Sequence, residues 1–295
     1  MDTMLLFFLM VLGYSLHALF NRLYVASYEG VKPEMLTPLY SVINGAIVAL
    51  ASFIAGGFTF APSWQTVLPG LLNAVVLIMF NVSIIEVGKR GPYSLMMVFN
   101  LFGCILIPLF VGVFFWGEQL STLRIIAIVC MLLALVLMTG QKITAKGATK
   151  QYYFWCMVLF VSNGVFGTLQ NIQVQVMNGA ERSEMLIILY GSSALYALIP
   201  PLLKGQGREL CQGLHMGKKA WLYLLLDSLF KAMAVNLLLF ILNKMSSGIL
   251  YTMDNGAVLV LSLIYALILF KEKPNKMQIT GMILAVLSIV MINLP

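Results

Sequence analysis

The heptapeptide Glu34–Tyr40, EMLTPLY, returns as EMLIILY at Glu184–Tyr190, 150 residues later, with Glu, Met, Leu, Leu and Tyr in register. The register extends backwards, pairing Leu19 with Leu169 and Asn21 with Asn171. Further along, the offset becomes 154, pairing Asn73 with Asp227, Asn100 with Asp254 and Glu118 with Glu272. Four residues inserted in the loop 204–218 account for the change. Self-similarity at one period means a structural unit written twice, here about 145 residues long. The copies are expected at 1–144 and 150–295.

Each copy holds five apolar stretches. A membrane crossing needs about 20 mostly apolar residues. Ten such stretches occur, at roughly 3–26, 34–56, 66–87, 92–116, 121–140, 152–177, 184–203, 219–243, 247–270 and 277–294. Breakers such as Gly56-Gly57, Lys89-Arg90-Gly91-Pro92 and Gly205-Gln206-Gly207 separate them. Hydrophobic residues make up 61% of the chain and charged ones 10%, with a mean hydropathy of +0.95. A soluble domain carries about 25% charged residues. The expected fold is an all-α, multi-pass cell-membrane protein with ten transmembrane helices. Five is odd, so the second copy enters the membrane in the opposite sense. Two inverted five-helix repeats are the plan of many secondary transporters, whose site lies near the midplane at the repeat interface.

The net charge of +7 does not point to nucleic acid, because the basic residues sit in short loops between apolar stretches. There they set topology and meet anionic lipid. Loops after the odd-numbered spans hold thirteen lysines and arginines, from Lys32 to Lys276. Those after the even-numbered spans hold only Arg124, Arg182 and Lys244. This asymmetry puts the odd loops in the cytoplasm and both termini outside. Cys104, Cys130, Cys156 and Cys211 form no CxxC pair, and two histidines cannot complete a zinc set. No metal or cofactor is expected. The N-terminus lacks the basic n-region of a signal peptide, and its apolar run continues too far.

The two-times-five plan, Pro108 in span four and Gly117-Glu118 before span five resemble EamA-type members of the drug/metabolite transporter superfamily. The second copy departs from the pattern, with Lys271-Glu272 for Gly-Glu and Ser262 in place of the proline. The resemblance implies a transporter whose last helix in each repeat is peripheral. It also implies cytoplasmic termini, opposite to the charge asymmetry. The superfamily includes oppositely oriented relatives, and the charge asymmetry is followed here.

Polar groups within a span are costly, about 2.5–3.5 kcal/mol for an ionised side chain at mid-bilayer. They concentrate in spans one, three, four, six, eight and nine, which are expected to line a cavity. Spans five and ten are mainly aliphatic and are expected to face lipid or another subunit. Span one carries Tyr14, His17, Asn21 and Tyr24 at spacings of three and four, hence on one helix face. Span six carries Asn163, Thr168, Gln170 and Asn171. Asn21 and Asn171 are expected to face each other across the pseudo-twofold axis, and such amides either line the cavity or join helices. Asn73 in span three is the twin of Asp227, and Asn100 in span four that of Asp254.

Asp254, with Asn255 and with Tyr251 one turn earlier, is the strongest single candidate. Its carboxylate can bind a cationic group, take up a proton for coupling, or serve as the fixed partner of Lys231 or Arg22. Asp227 and Lys231 are four apart on span eight and can pair along one face. Arg22 and Glu86 lie near span ends, where snorkelling explains them. Glu118, Glu272, Glu34 and Glu184 open spans, where an acid favours the helix dipole. Tyr40 and Tyr190 lie deeper and can form cavity wall. Gly281, Ala285 and Ser288 make a face of small residues on span ten, suited to packing against a neighbour and permitting a homodimer through spans five and ten.

No GxxxxGK[ST], HExxH or GxSxG occurs, which argues against ATP-driven pumping and against hydrolases of those types. The function expected is a secondary transporter, not an enzyme. It would move a small polar or amphipathic metabolite by alternating access, with proton coupling through Asp254 and efflux as the expected direction. His17, Arg22 and Lys231 can meet a carboxylate, and Asp227 and Asp254 an amine, which suits a zwitterion. Tyr14, Tyr24, Tyr93 and Tyr251 suit an aromatic or amphiphilic solute. The alternative is a lipid-carrier flippase or a membrane-embedded interaction partner.

Overall fold

The structure is a computed structural model that describes residues 3–28, 35–88, 90–91, 93–138, 149–269, 271 and 275–292. Among them are eleven helices and no strand. Eight are long and apolar enough to cross a membrane: α1 (Thr3–Ser27), α2 (Leu36–Ala55), α3 (Trp64–Gly88), α4 (Tyr93–Trp116), α6 (Lys150–Val176), α7 (Arg182–Leu203), α9 (Lys218–Leu242) and α10 (Ser247–Leu269). The two stretches expected as spans five and ten form shorter apolar helices of 17 residues, α5 (Thr122–Met138) and α11 (Lys276–Ile292). At 1.5 Å per residue, 17 residues reach about 26 Å, short of a hydrocarbon core of about 30 Å. The expected ends of these spans, at 140 and 294, lie outside the described residues.

The stretch 204–218, read from sequence as a loop, contains a further helix, α8 (Gly207–Gly213). It packs on α2, where Gly213 lies against Leu39.

The chain forms two compact units, and each draws on both halves of the sequence. One comprises Met1–Ile78 and Ile172–Asn243, the other Met79–Asn171 and Lys244–Pro295. In the first unit α1 packs on α9, α2 on α7, and α2 also on α9. A small residue lets α2 and α7 approach: a Cβ at Gly45 would come within 2.7 Å of the Tyr190 carbonyl oxygen. Tyr24 lies fully buried among Met216, Ala220 and Leu224, which ties α1 to the start of α9.

In the second unit α4 packs on α10, and α5 packs along α11. The small-residue face of α11 is spent here. Gly281, Ala285 and Ser288 are buried, and a Cβ at Gly281 would meet the Ala134 carbonyl oxygen at 2.8 Å. That face therefore serves a contact within the chain, and a homodimer through α5 and α11 has only their outer faces to use. Those outer faces expose Ile125, Ile126, Val129 and Leu133 on α5, and Ile279, Ile283, Val286 and Val290 on α11. Apolar surface of this kind suits lipid.

Candidate functional site

The densest polar cluster lies in the first unit, where α1, α2, α7 and α9 meet. Asp227 on α9 is fully buried, and both of its oxygens are engaged. His17 Nδ1 lies 2.5 Å from Oδ1, and Asn44 Nδ2 donates to Oδ2 at 3.2 Å. The same amide nitrogen donates to Ser228 Oγ at 3.0 Å, and its carbonyl oxygen accepts from Lys231 Nζ at 3.0 Å. Asn44 thus uses both hydrogens and its oxygen, and it bridges Asp227 and Lys231. The expected pairing of those two along one helix face runs through this amide from another helix.

Lys231 is half-buried, and its ammonium lies over two rings, 5.2 Å from the Tyr190 centroid and 5.9 Å from the Tyr40 centroid. These are the twin tyrosines that close the repeated heptapeptide. Tyr40 also interacts with Asp227 and Asn21, which brings Asn21 to the cluster. Tyr14 is half-buried on α1, and Asn73 is buried on α3.

A second group lies in the other unit, on α4, α6 and α10. Asn163 donates to both the carbonyl and the side-chain oxygen of Asn100, each at 2.9 Å, and this pair joins α6 to α4. The Tyr251 hydroxyl donates to the Gly167 carbonyl at 3.0 Å and joins α10 to α6. Gly167 is the position where the repeat offset of 150 would put a second His17, and there a Cβ would come within 3.0 Å of this phenol ring, a tight contact. Asn255 turns back to the Tyr251 carbonyl at 2.8 Å. Asp254 is 9% exposed, and its buried Oδ1 has no hydrogen-bond partner among the described residues. Cys104 interacts electrostatically with Asp254.

Of the fixed partners open to Asp254, Lys231 is engaged by Asn44 and Arg22 is exposed, and both belong to the first unit whereas Asp254 belongs to the second. Gln170 and Asn171 are buried on α6, and neither amide atom of Gln170 has a hydrogen-bond partner among the described residues. Asn21 and Asn171 belong to different compact units.

Sequence reasoning missed Asn44 and Ser228, and gave Cys104 no part in the site. The signal for Asn44 was an amide one turn beyond Tyr40 in an apolar span. At the repeat offset its twin is Ala194, so a search by paired positions passes over it.

Glu118 caps a helix, though not its own. Its carboxylate accepts from Ser246 Oγ at 2.5 Å, Ser247 N at 3.1 Å and Ser247 Oγ at 3.2 Å, at the N-terminus of α10. There it satisfies a backbone donor that the helix leaves open. Gly117 supplies the left-handed turn, φ +64°, that aims Glu118 back. Lys271, in the matching position of the second copy, adopts the same conformation at φ +53°; its neighbour Glu272, like Glu34, lies outside the described residues. Glu181, just ahead of α7, does the same for α3, accepting from Ser63 N at 2.8 Å and Ser63 Oγ at 2.9 Å. Burial pushes the Glu181 carboxyl up, but hydrogen bonds from Thr66 and Ser63 outweigh this and hold it below its ordinary value. Glu86 pairs with Arg90 at the end of α3, and Glu184 lies in the first turn of α7 as expected.

A solved structure titled only "Crystal structure of protein" has a TM-score of 0.73 with this chain at 17% identity, covering 99% of this chain and 96% of that one, which establishes a likeness of fold. No curated protein matches. Residues 151–294 match the EamA-like transporter family. Residues 151–294 therefore form an EamA-like transporter family domain, within the drug/metabolite transporter superfamily, in a chain with eight helices long and apolar enough to cross a membrane.

Proposed function

We propose that this protein is a secondary carrier that moves a small polar or amphipathic metabolite, amino-acid-like or drug-like, across the cell membrane by alternating access. In this reading ten spans form two inverted repeats, α5 and α11 being the fifth of each. Asp254 takes up a proton as the coupling step, export is the working direction, and the loop charges set both termini outside.

The observation that carries the coupling is the buried Asp254 Oδ1, which has no hydrogen-bond partner among the described residues. An ionised carboxylate in that setting is costly, and a proton or a bound cation relieves it. The repeat reading is supported by the pairing of twin helices: α2 packs on α7, α4 on α10, and α5 on α11. The matching left-handed turns at Gly117 and Lys271 support it too.

The test is reconstitution into proteoliposomes. Labelled amino acids, amines, organic acids and nucleosides are offered with and without a pH gradient, to the wild-type protein and to Asp254→Asn. The expected result is gradient-driven accumulation of at least one class, lost in Asp254→Asn while gradient-free exchange persists. Accumulation that ignores the gradient, or that survives the substitution unchanged, refutes the coupling role.

A further inference from the structure

We propose that Lys231, held between Tyr40 and Tyr190, is the anchor for a carboxylate, and that the substrate is a small monocarboxylate bearing an apolar or aromatic group. This deepens the transporter reading and rests on it.

The argument starts from which charges of the first unit remain available. Asp227 is 0% exposed, with one oxygen on His17 and the other on Asn44. Binding an amine there would mean breaking both links in a sealed site. Lys231 differs. It is half-buried, so part of it is accessible, and its ammonium has three donors. Its one hydrogen bond among the described residues goes to Asn44. The two tyrosine rings offer it their faces, which attract the cation but leave N–H groups for an anion. Asn44 cannot swing away, because Asp227 and Ser228 hold its nitrogen. The ammonium is therefore fixed in place with donors to spare.

A carboxylate supplies the two acceptor oxygens such a group lacks. The ring walls then accommodate an apolar substituent, and an aromatic one gains ring–ring attraction. An amine is repelled by the ammonium. A phosphate would call for more than one cationic side chain, and among the described residues this cluster offers one lysine beside a histidine that already faces Asp227. His17, 21% exposed, faces the cluster from α1, Tyr24 of the same helix interacts electrostatically with Asp227, and Asn21 joins the cluster through Tyr40.

The experiment uses three probes of one skeleton, phenylacetate, phenylacetamide and benzylamine, on the full-length protein in detergent, with affinity read by calorimetry and by melting temperature. Phenylacetate is expected to bind, and the amide and amine are not. Lys231→Gln, which can still meet Asn44, should weaken phenylacetate binding by about tenfold or more, the loss of one charge-assisted hydrogen bond. Lys231→Arg should retain binding, and Tyr190→Leu should weaken phenylacetate more than acetate. Because Lys231→Gln can also disturb folding, Lys231→Arg and Tyr190→Leu stand as independent checks. The proposal is overturned if the amide or amine binds as well as the acid, if phenylacetate does not bind, or if Lys231→Gln leaves its affinity unchanged.

Counterflow of the same probes in proteoliposomes separates the two ideas. Uptake of the amine or amide without the acid leaves a transporter and removes the carboxylate anchor. Binding of the acid without uptake of any probe leaves the anchor and removes the transport reading.

Discussion

Replacing Asn44 with leucine tests the central cluster directly. The amide makes three hydrogen bonds, two of them to the charged groups Asp227 and Lys231. A hydrogen bond to a charged group contributes about 1.5–3 kcal/mol. Losing both, together with the neutral bond to Ser228, costs about 4–7 kcal/mol, against about 1.5–3 kcal/mol gained from burying a leucine, and leaves a net destabilisation of about 1–5 kcal/mol. The internal control is Asn236→Leu on α9, the same chemical change in the same unit. Asn236 donates to neutral partners only, Ser52 Oγ at 3.0 Å and its own-helix Ala232 carbonyl at 2.8 Å. A neutral hydrogen bond is worth about 1 kcal/mol, which the leucine largely offsets. Thermal melts in one detergent should place Asn44→Leu below Asn236→Leu by roughly 5–15 °C. If Asn44→Leu melts no lower than Asn236→Leu, the reasoning that a bridged charge pair organises this unit is wrong.

Further predictions concern the helix ends and the pairing of α5 with α11. Glu118→Ala should cost about 2–4 kcal/mol through loss of the α10 cap, and a double-mutant cycle with Ser247→Ala should show a coupling of about 1 kcal/mol; strict additivity would place the carboxylate elsewhere. Gly281→Val should destabilise by about 1–3 kcal/mol by overpacking the α5–α11 contact, read as a lowered melting temperature, and an unchanged melt would mean that the two helices do not meet there. Glu181 has a folded pKa below its ordinary value of 4.5, so its contribution is complete above 4.5 and lost as pH falls through the folded value. Glu181→Gln should therefore melt below wild type at neutral pH, with the gap closing in acid; a gap that persists in acid would assign Glu181 another role.

Much of this architecture is legible in the residues. His17, Asp227, Lys231 and Asp254 stand out because a titratable group inside an apolar stretch carries a cost that something must offset. The twin tyrosines stand out because the heptapeptide repeats. What sequence could not supply was partnership across distance. Asp227 and Lys231 look like a pair on one helix, yet the atom group that joins them comes from Asn44, 183 residues earlier than Asp227. Glu118 sits beside α5 in the sequence, and dipole arguments assign it there. Only the left-handed turn at Gly117 sends it to α10 instead. The small face of span ten advertised close packing without saying with whom, and the partner proved to be α5. The short α8 escaped notice because seven residues with a glycine at each end carry almost no helical signal.

That each compact unit is assembled from both halves of the sequence bears on how the protein is made. α1 ends at Ser27, but the helix it packs along, α9, begins at Lys218. At a synthesis rate of about 5–20 residues per second, α1 waits on the order of ten seconds or more before its partner leaves the ribosome. α2 waits for α7 in the same way. During that interval His17 and Asn44 have none of the α9 groups that later engage them, so the nascent first half carries polar side chains into the bilayer uncompensated. Insertion of this protein is therefore a problem of holding early helices in readiness rather than of folding them one after another. The two halves produced as separate chains should be found only in each other's company.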